Sequence, residues 1–267
     1  MRKSPLTHVI LIPAAILFAM PLVLMALAAV KPPEQLTEDP FALWPRRWQW
    51  ENYRDAVTSM PYLRYLRNSL VLCIGSVIGS VVSCSLTAYG FARLRWPGRD
   101  WLFALLIATM LLPWHVTMIP RFLLLRELGL YNSLWALIVP TFLGEAFYIF
   151  LLRQFFLTIP EELSEAARLD RLSEWGIFLG IILPLSRPAL ATVALFQFIA
   201  AWNDFSGPLL YLSDPNQFPL AYGLEQFVSS YSDQTHLLLA AAVLFVLPIV
   251  ALLFLTQRTF MRGAINP

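Results

Sequence analysis

The 267-residue sequence is poor in charge and cysteine, and each shortage excludes a class of protein. Charged residues make up 13%, against about 25% in ordinary globular domains. Because hydrophobic residues reach 58%, a soluble fold could not hide the apolar surface, and we expect much of it to face lipid. Two cysteines cannot form a disulfide framework. The net charge of +2 is too small and too scattered for a nucleic-acid-binding protein.

Motifs for nucleotide, metal and hydrolytic chemistry are also missing. The only lysines, Lys3 and Lys31, lack the glycine spacing of a Walker A nucleotide site. The histidines have no acidic or thiol neighbours at metal-ligand spacing. They are His8, His115 and His236. We therefore expect a chain that is not an enzyme and holds no cofactor or metal. If the protein uses ATP, the ATP must bind another chain.

Long apolar runs between charged residues predict six transmembrane helices. A run of about 20 apolar residues is long enough to cross a bilayer. Five runs are clear, and the fourth is interrupted by Glu145. The runs cover residues 9–30, 68–92, 101–120, 134–152, 175–203 and 234–257. The pattern predicts an all-α membrane protein in two parts: an N-terminal anchor with an extracytoplasmic interfacial connection, 1–67, and a transmembrane core, 68–263.

The placement of basic residues predicts the orientation. An even number of spans puts both termini on one side, and the short, dense basic loops should be cytoplasmic. Arg2 and Lys3 fall on that side, as do the arginines that follow the second and fourth spans. We therefore expect a multi-pass protein with both termini in the cytoplasm. The 31–67 connection, rich in Trp and Arg, should lie outside and include a short helix near 50–58.

The second span has a face of small residues. Gly75, Gly79 and Ser83 recur every four residues, and such rows let helix backbones approach closely in lipid. This pattern predicts a helix-packing face. The packing could be static, or the helices could move against each other.

Residues 158–188 form the most informative segment of the sequence, and they predict a short cytoplasmic helix. Thr158 can cap that helix, with Pro160 in the first turn and Glu161 three residues after the cap. Glu161 and Glu162 also suit a helix start electrostatically. Ser173 can then cap the fifth span.

The same short helix has a small apolar face and a charged rim. Leu163, Ala166 and Ala167 should share a face, while Glu165 and Arg168 can pair on another. A slim apolar helix of this kind suits docking in a groove of a soluble partner. It could also rest on its own membrane domain.

These residues resemble the EAA loop of ABC importer permeases, and their surroundings resemble the carbohydrate-type subfamily of maltose- and glycerol-phosphate-type permeases. The loop has Glu165-Ala166-Ala167, then Asp170, then Ile182-Leu183-Pro184. The other matching motifs run in family order over residues 60–263. They include Asn68-Ser69-Leu70, Tyr89-Gly90-Phe91-Ala92-Arg93, Pro97-Gly98-Arg99, Ile159-Pro160, Trp202-Asn203-Asp204 and Arg262-Gly263.

The resemblance implies a permease subunit of a solute-binding-protein-dependent importer in the bacterial inner membrane. Its expected partners are a second, homologous permease subunit, two ATP-binding subunits that carry ATP and Mg²⁺, and an extracytoplasmic binding protein for a sugar or sugar-like solute. That binding protein would meet the 204–233 connection. The expected ATPase-coupling residues are Glu161, Glu162, Leu163, Glu165, Ala166, Ala167, Arg168 and Asp170.

The loop departs from the family at Arg171, where relatives usually carry glycine. Glycine there would permit a left-handed turn after the coupling helix. Arginine can adopt that turn only at a cost of roughly 1–2 kcal/mol. Either Arg171 accepts this cost or the turn is built differently.

Four polar or aromatic residues are candidates for the solute pathway or its gate. Glu145 lies within a predicted span, where a charge should face the protein interior or water. It could line the pathway, pair with another helix or stabilise the subunit interface. Trp202, Asn203 and Asp204 could gate the outer mouth, or they could simply anchor a span end. The alternative function is a self-sufficient secondary transporter or channel, which would usually show inverted repeats or several buried charges.

Overall fold

The computed structural model describes residues 5–230 and 234–265, and this part of the chain is helical with no strand. The predicted all-α class is confirmed. The α-helices are α1 Pro5–Ala29, α2 Pro33–Glu38, α3 Glu51–Thr58, α4 Tyr62–Ala92, α5 Arg99–Ala108, α6 Trp114–Glu127, α7 Trp135–Ile138, α8 Ala146–Thr158, α9 Glu161–Leu169, α10 Glu174–Ile177, α11 Leu183–Leu185, α12 Arg187–Asn203, α13 Ser206–Tyr211, α14 Leu220–Ser230 and α15 Thr235–Ile265.

Four helical segments are long and apolar enough to cross a membrane, and two bent pairs could add two more spans. The four are His8–Ala29, Tyr62–Ala92, Trp135–Thr158 and Thr235–Phe254. The predicted number of six is reached when each bent pair counts as one span, so six stays a prediction. The predicted cytoplasmic side of the termini rests partly on Arg2 and Lys3, which lie outside the described residues.

Both bent pairs contain a proline at or beside the break. Arg99–Leu111 and Trp114–Glu127 meet at 101°, although the sequence predicted one continuous span there. Pro113 has no N–H to donate and disfavours helical backbone in the residue before it, and Leu112 is extended with ψ 117°. The second bend, 77°, falls between Leu185 and Arg187, with Pro188 in the first turn of α12.

The chain divides into two compact units, of which one holds residues up to 64 together with 220–251. Its core packs Ala29, Ala56, Leu237, Ala240 and Ala241, all buried. The connection after α1 is tied to the end of that helix, because the Asn52 side-chain amide donates to the backbone oxygens of Ala29 at 2.9 Å and Lys31 at 3.0 Å. The short helix predicted near 50–58 is confirmed as α3.

The outer face of this connection is aromatic. Phe41 is 94% exposed and Trp44 is 69% exposed, and the Trp48 and Trp50 rings stack with centroids 5.8 Å apart. These side chains would suit the lipid headgroup layer. The predicted interfacial position of the connection stays a prediction.

The second unit, residues 65–219 with the chain from 252 onward, carries the larger core. Ala88 of α4, Leu152 of α8 and Val193 of α12 are all fully buried in one cluster. Ala167 of α9 joins the same cluster. The short helix α9 is therefore fixed to the transmembrane helices by one of its sides.

Candidate functional site: a polar cavity and a short exposed helix

The small face of α4 packs against the chain that precedes α8. A Cβ on Gly79 would overlap Thr141 Oγ1 and lie 2.8 Å from the Phe142 ring, and one on Gly75 would lie 3.0 Å from Ile138. Ser83 Oγ donates to the Thr141 carbonyl at 3.0 Å. The three predicted packing residues therefore face one segment of the chain.

That segment contains a break in the helix. The 3₁₀ turn Val139–Leu143 ends at Gly144, whose φ is +85°, and Glu145 is extended with φ −124° before α8 begins. The Glu145 N–H donates to Cys84 Sγ at 3.3 Å. Glu145 was expected within a helix, but it lies in irregular backbone. In a membrane such backbone must be buried in protein or line a water-filled cavity.

Glu145 does line a cavity of about 360 Å³ inside the second unit. This volume is within the roughly 300–1,000 Å³ range of small-molecule sites. Its wall includes four charged or amide side chains and two aromatic rings. They are Arg121, Glu145, Gln197, Asp204, Trp114 and Tyr211.

Asp204 lies in the cavity wall, two residues before the short helix α13. Its Oδ1 accepts a hydrogen bond from the Gly207 N–H at 2.9 Å. A side chain at Gly207 would overlap Asp204 Oδ2 and lie 2.8 Å from Leu137. Glycine is therefore required for this close approach.

The other end of α13 is held by Asn132, which has a positive φ of 59°. Its N–H donates to the Tyr211 carbonyl at 2.8 Å. Its Oδ1 accepts from the Ser213 and Asp214 amides at 2.9 and 2.8 Å. This arrangement fixes Tyr211 in the cavity wall.

Burial sets the protonation behaviour of the α13 groups. It raises the pKa of Asp204 above its ordinary value, although amide hydrogen bonds and the Arg121 charge oppose the shift. Burial also raises the pKa of Tyr211. The Tyr211 hydroxyl is buried and has no hydrogen-bond partner among the described residues.

The structure brings together two of the four predicted pathway residues. Glu145 and Asp204 share the cavity. Trp202, only 1% exposed, stacks on Phe198 at 5.6 Å instead. Asn203 donates from its side chain to the Ile199 carbonyl at 2.8 Å. Neither Trp202 nor Asn203 lines the cavity.

Sequence analysis missed Arg121 and Gln197. Arg121 directly follows the third predicted span, 101–120, and its place beside the cavity depends on the bend at Pro113. Gln197 is polar within an otherwise apolar helix. That pattern was the available signal for it.

The 204–233 connection, which the resemblance expects to meet a binding protein, contains several aromatic residues. Two of them, Tyr211 and Phe218, are only 3% and 4% exposed. The Phe218 ring lies 6.3 Å from that of Tyr65. Residues 231–233 lie outside the described part.

Helix α9 is packed on one side and exposed on the other. Ser164 and Ala167 are buried, whereas Leu163 is 43% exposed and Leu169 is 86% exposed. Ala166 is exposed as well. The face predicted for Leu163, Ala166 and Ala167 is therefore divided, because Ala167 turns into the chain's own core.

The start of α9 differs from the prediction. Thr158 was expected to cap it, but Thr158 is the last residue of α8, and its hydroxyl donates to the Phe155 carbonyl at 2.7 Å. Pro160 keeps Ile159 extended, so Pro160 itself occupies the N-cap position. The predicted cap at Ser173 is confirmed, since its Oγ accepts from the Gly176 N–H at 3.2 Å.

The pairing on α9 also differs. Arg168 was expected to pair with Glu165, but its Nε donates to Glu174 Oε1 at 2.8 Å. The Tyr89 hydroxyl donates to the other oxygen of Glu174 at 2.6 Å. Glu174 thus joins α9 to the end of α4. Glu161 pairs at the other end of α9 with Arg95 at 3.5 Å.

Arg93, just after α4, holds the chain that leads into α9. Its guanidinium donates to the Phe156 and Ile159 carbonyls at the end of α8. Burial lowers the pKa of Arg93. These hydrogen bonds give partners to carbonyl groups at the end of α8 that have no partner within the helix.

Arg171 adopts the left-handed turn, with φ +60°. The Leu172 N–H donates to the Ala167 carbonyl at 3.0 Å, and the Arg171 N–H donates to the Arg168 carbonyl at 3.0 Å. These two bonds form a Schellman motif. The turn expected after the helix is present, and arginine occupies the position that favours glycine.

The chain is similar in sequence to permease proteins over nearly its whole length. It is 30% identical to the diacetylchitobiose uptake system permease protein NgcG of Streptomyces coelicolor, covering 96% of this chain and 86% of that one. It is 32% identical to the arabinooligosaccharides transport system permease protein AraQ of Halalkalibacterium halodurans, covering 93% and 90%. It is 33% identical to the sn-glycerol-3-phosphate transport system permease protein UgpE of Yersinia enterocolitica, covering 97% and 95%.

A solved structure shares the fold. A chain of a bacterial ABC transporter that imports the acidic polysaccharide alginate aligns with a TM-score of 0.82 and 23% identity, covering 96% of this chain and 95% of that one. Residues 75–265 match the family model of the binding-protein-dependent transport system inner membrane component. The protein is thus a multi-pass permease subunit of an ABC importer rather than a self-sufficient secondary transporter, and it belongs to the family of binding-protein-dependent transport system inner membrane components.

Proposed function

We propose that this chain forms half of the translocation pathway of an ATP-driven importer and is moved through helix α9. A second, homologous permease subunit would complete the pathway. Two ATP-binding subunits would hold ATP and Mg²⁺ and carry out hydrolysis, and an extracytoplasmic binding protein would deliver the solute. Family membership supports such a complex, since the family is named for its dependence on binding proteins.

The cargo we propose is a sugar or a sugar-like solute. Relatives of nearly full length are named for diacetylchitobiose, arabinooligosaccharides and sn-glycerol 3-phosphate. All three are rich in hydroxyl groups. The cavity bounded by Glu145 and Asp204 has the volume and the polar groups to receive part of such a solute.

One observation carries the coupling role: α9 buries one side in its own core and exposes apolar residues on the other. Leu163, Ala166 and Leu169 lie at spacings of three residues, and an apolar helical strip of this kind fits a groove on a partner. Closure of the ATPase dimer would act on the docked helix. ATP hydrolysis supplies free energy for transport only if the inward-open and outward-open states make different contacts there.

The test places a charge in the exposed strip of the full transporter. Leu169→Asp should weaken the association of the ATP-binding subunits and reduce ATP-driven uptake at least about tenfold, because even an uncharged polar group without a hydrogen bond costs roughly 1–3 kcal/mol in an apolar groove and an ionised carboxylate costs more. The measurements are copurification of the ATPase subunits with the membrane complex and initial uptake rates. Leu169→Met keeps the apolar contact and should retain both.

Leu128→Asp is the matched control. Leu128 is also an exposed leucine, 61% exposed, at the end of a helix that closes with a Schellman motif. This substitution adds the same charge away from α9 and should leave ATPase association unchanged. If Leu169→Asp behaved like Leu128→Asp in both measurements, the coupling role of α9 would be wrong.

A further inference from the structure

The cavity wall carries more negative than positive charge. Its ionisable residues with a formal charge at neutral pH are Glu145, Asp204 and Arg121, two carboxylates against one guanidinium. The ion pairs within the described residues all involve other side chains. Arg121 therefore forms no direct ion pair with Glu145 or Asp204, although Asp204 Oδ1 already accepts a hydrogen bond from the Gly207 N–H.

The rest of the wall suits hydroxyl groups and sugar rings. Gln197 is 7% exposed and lines the cavity, and no hydrogen bond joins its amide to another described residue. The Tyr211 hydroxyl in the same wall is buried without a partner in the described part of the chain. A buried polar group without a partner is costly, so a ligand or water is expected to satisfy it. Trp114 adds an apolar ring surface on which a sugar could stack.

We infer that the cargo of this transporter is a neutral saccharide rather than a phosphate ester or an acidic sugar. Carboxylates accept hydrogen bonds from neighbouring hydroxyl groups, and the Arg121 guanidinium and Gln197 amide donate to others. An anionic solute would face two carboxylates against one guanidinium, and this excess of like charge disfavours it. The inference deepens the proposed function and rests on it, because it assumes that this cavity borders the solute pathway.

The test measures the sign of the potential in the cavity without knowing the solute. Ala200 is exposed and lines the cavity, so Ala200→Cys places a thiol there in the full transporter in native membranes. The probes are a cationic trimethylammonium-ethyl and an anionic sulfonatoethyl methanethiosulfonate. The cationic reagent should react faster, after correction for intrinsic reactivity, by about tenfold, the lower end of electrostatic steering effects. The native thiols Cys73 and Cys84 are both buried, and the unsubstituted chain gives their background rate.

Charge removal tests the assignment to these residues. Adding Glu145→Gln and Asp204→Asn should abolish the preference for the cationic reagent. Adding Glu127→Gln instead removes an exposed carboxylate at the end of α6 and should leave the preference intact. An anionic reagent that reacts as fast as the cationic one, or faster, would overturn the inference. Accumulation of sn-glycerol 3-phosphate by cells that carry the complete transporter would overturn it too.

The assay separates this inference from the proposed function. If modification of Ala200→Cys leaves ATP-driven uptake unchanged, the cavity is not in the pathway and the proposed site is wrong. If modification blocks uptake but the anionic reagent is preferred, the pathway stands and only the neutral-saccharide inference falls.

Discussion

Arg171 shows how one residue can keep a turn while paying a conformational cost. A positive φ brings the Cβ of an L-residue close to backbone atoms, and the cost is roughly 1–2 kcal/mol. Arg171 tolerates it because the Schellman bonds to the Arg168 and Ala167 carbonyls over-determine the turn. The turn fixes where α9 ends and where the fifth span begins.

Replacing this arginine by glycine should stabilise the protein. We expect Arg171→Gly to raise the free energy of unfolding by about 1 kcal/mol, because glycine removes the Cβ strain, although it gains backbone entropy when unfolded. The measurement is thermal unfolding of the detergent-solubilised chain. Gly129 has the same Schellman position after α6, with φ +71° and open space around it. Gly129→Arg should therefore destabilise by a similar amount, and a destabilising Arg171→Gly would contradict the strain.

Asp204 gives a pH dependence at the residue scale. Its pKa is raised in the folded protein chiefly by burial, so the stability linked to this group is fully present below its unfolded pKa of about 3.9 and is lost as pH rises through the folded value. Asp204→Asn should raise the melting temperature at pH 8. The difference from the unsubstituted protein should shrink toward pH 4. Asparagine keeps the oxygen that accepts from Gly207, and a difference independent of pH would argue against this origin.

At the scale of elements, the hydrophobic runs predicted where the long helices lie, but they did not predict where those helices break. The runs at 9–30 and 68–92 correspond to α1 and to most of α4. The third run contains a bend of 101° that a count of apolar residues does not register. Pro113 was visible in the sequence, but membrane helices can tolerate proline. The sequence alone therefore did not decide between a continuous helix and a bent one.

The approach of α4 to the break before α8 leads to a prediction with a control on the same helix. Gly79→Leu should destabilise the protein by about 1–3 kcal/mol, as overpacking does, because Thr141 and Phe142 occupy the space. Gly90→Leu should cost little steric energy, since nothing lies within 4 Å of a Cβ there. Thermal unfolding and membrane yield of the two variants would compare them. Equal losses would show that the contact at Gly79 is not the cause.

Helix α9 shows which properties of a site can be predicted from the sequence and which cannot. Its position and its charged N-terminal turn followed from Pro160, Glu161 and Glu162. The division of its apolar residues between core and surface did not, because Ala166 and Ala167 are the same residue type and only the packing of α9 on its neighbours distinguishes them. The same applies to Arg168, whose partner Glu174 is beyond the end of the helix.

At the scale of the whole molecule, Glu174 would pass movement of α9 to α4 if α9 is the coupling helix proposed above. It contacts Arg168 on α9 and Tyr89 on α4 through its two carboxylate oxygens. Removing it would leave α9 attached mainly through Ser164 and Ala167, both buried. The exposed strip would still be able to dock.

We therefore expect Glu174→Ala to uncouple hydrolysis from transport. The complex should still copurify and hydrolyse ATP, but solute moved per ATP should fall about fivefold or more, the lower end of typical coupling free energies. The measurement is parallel uptake and ATPase activity in proteoliposomes. Tyr89→Phe removes one of the two contacts and should give a smaller loss. If uptake and ATP hydrolysis fell in the same proportion in Glu174→Ala, the substitution would have damaged the structure and the coupling prediction would be wrong.

The cavity is the feature that sequence reasoning reached least completely. Glu145 and Asp204 could be proposed because charges in or beside apolar runs are rare. Their meeting depends on the bends and on Gly207, which are tertiary facts. Trp202 is only two residues before Asp204 in sequence, yet its ring packs on Phe198, since residues two apart on a helix face different directions. Two residues that are close in sequence therefore need not line the same cavity.

The irregular backbone at Gly144 and Glu145 has one more consequence, for hydration. Peptide groups that leave the helical ladder at membrane depth must be wetted or bonded to protein, and Cys84 and Ser83 are weak or partial substitutes for the lost ladder. We therefore expect water beside this segment during the transport cycle. When the transporter changes between its inward-open and outward-open states, this water would then move with the opening and would not be expelled. An intermediate that is closed on both sides and fully dry would be the least stable state of the cycle.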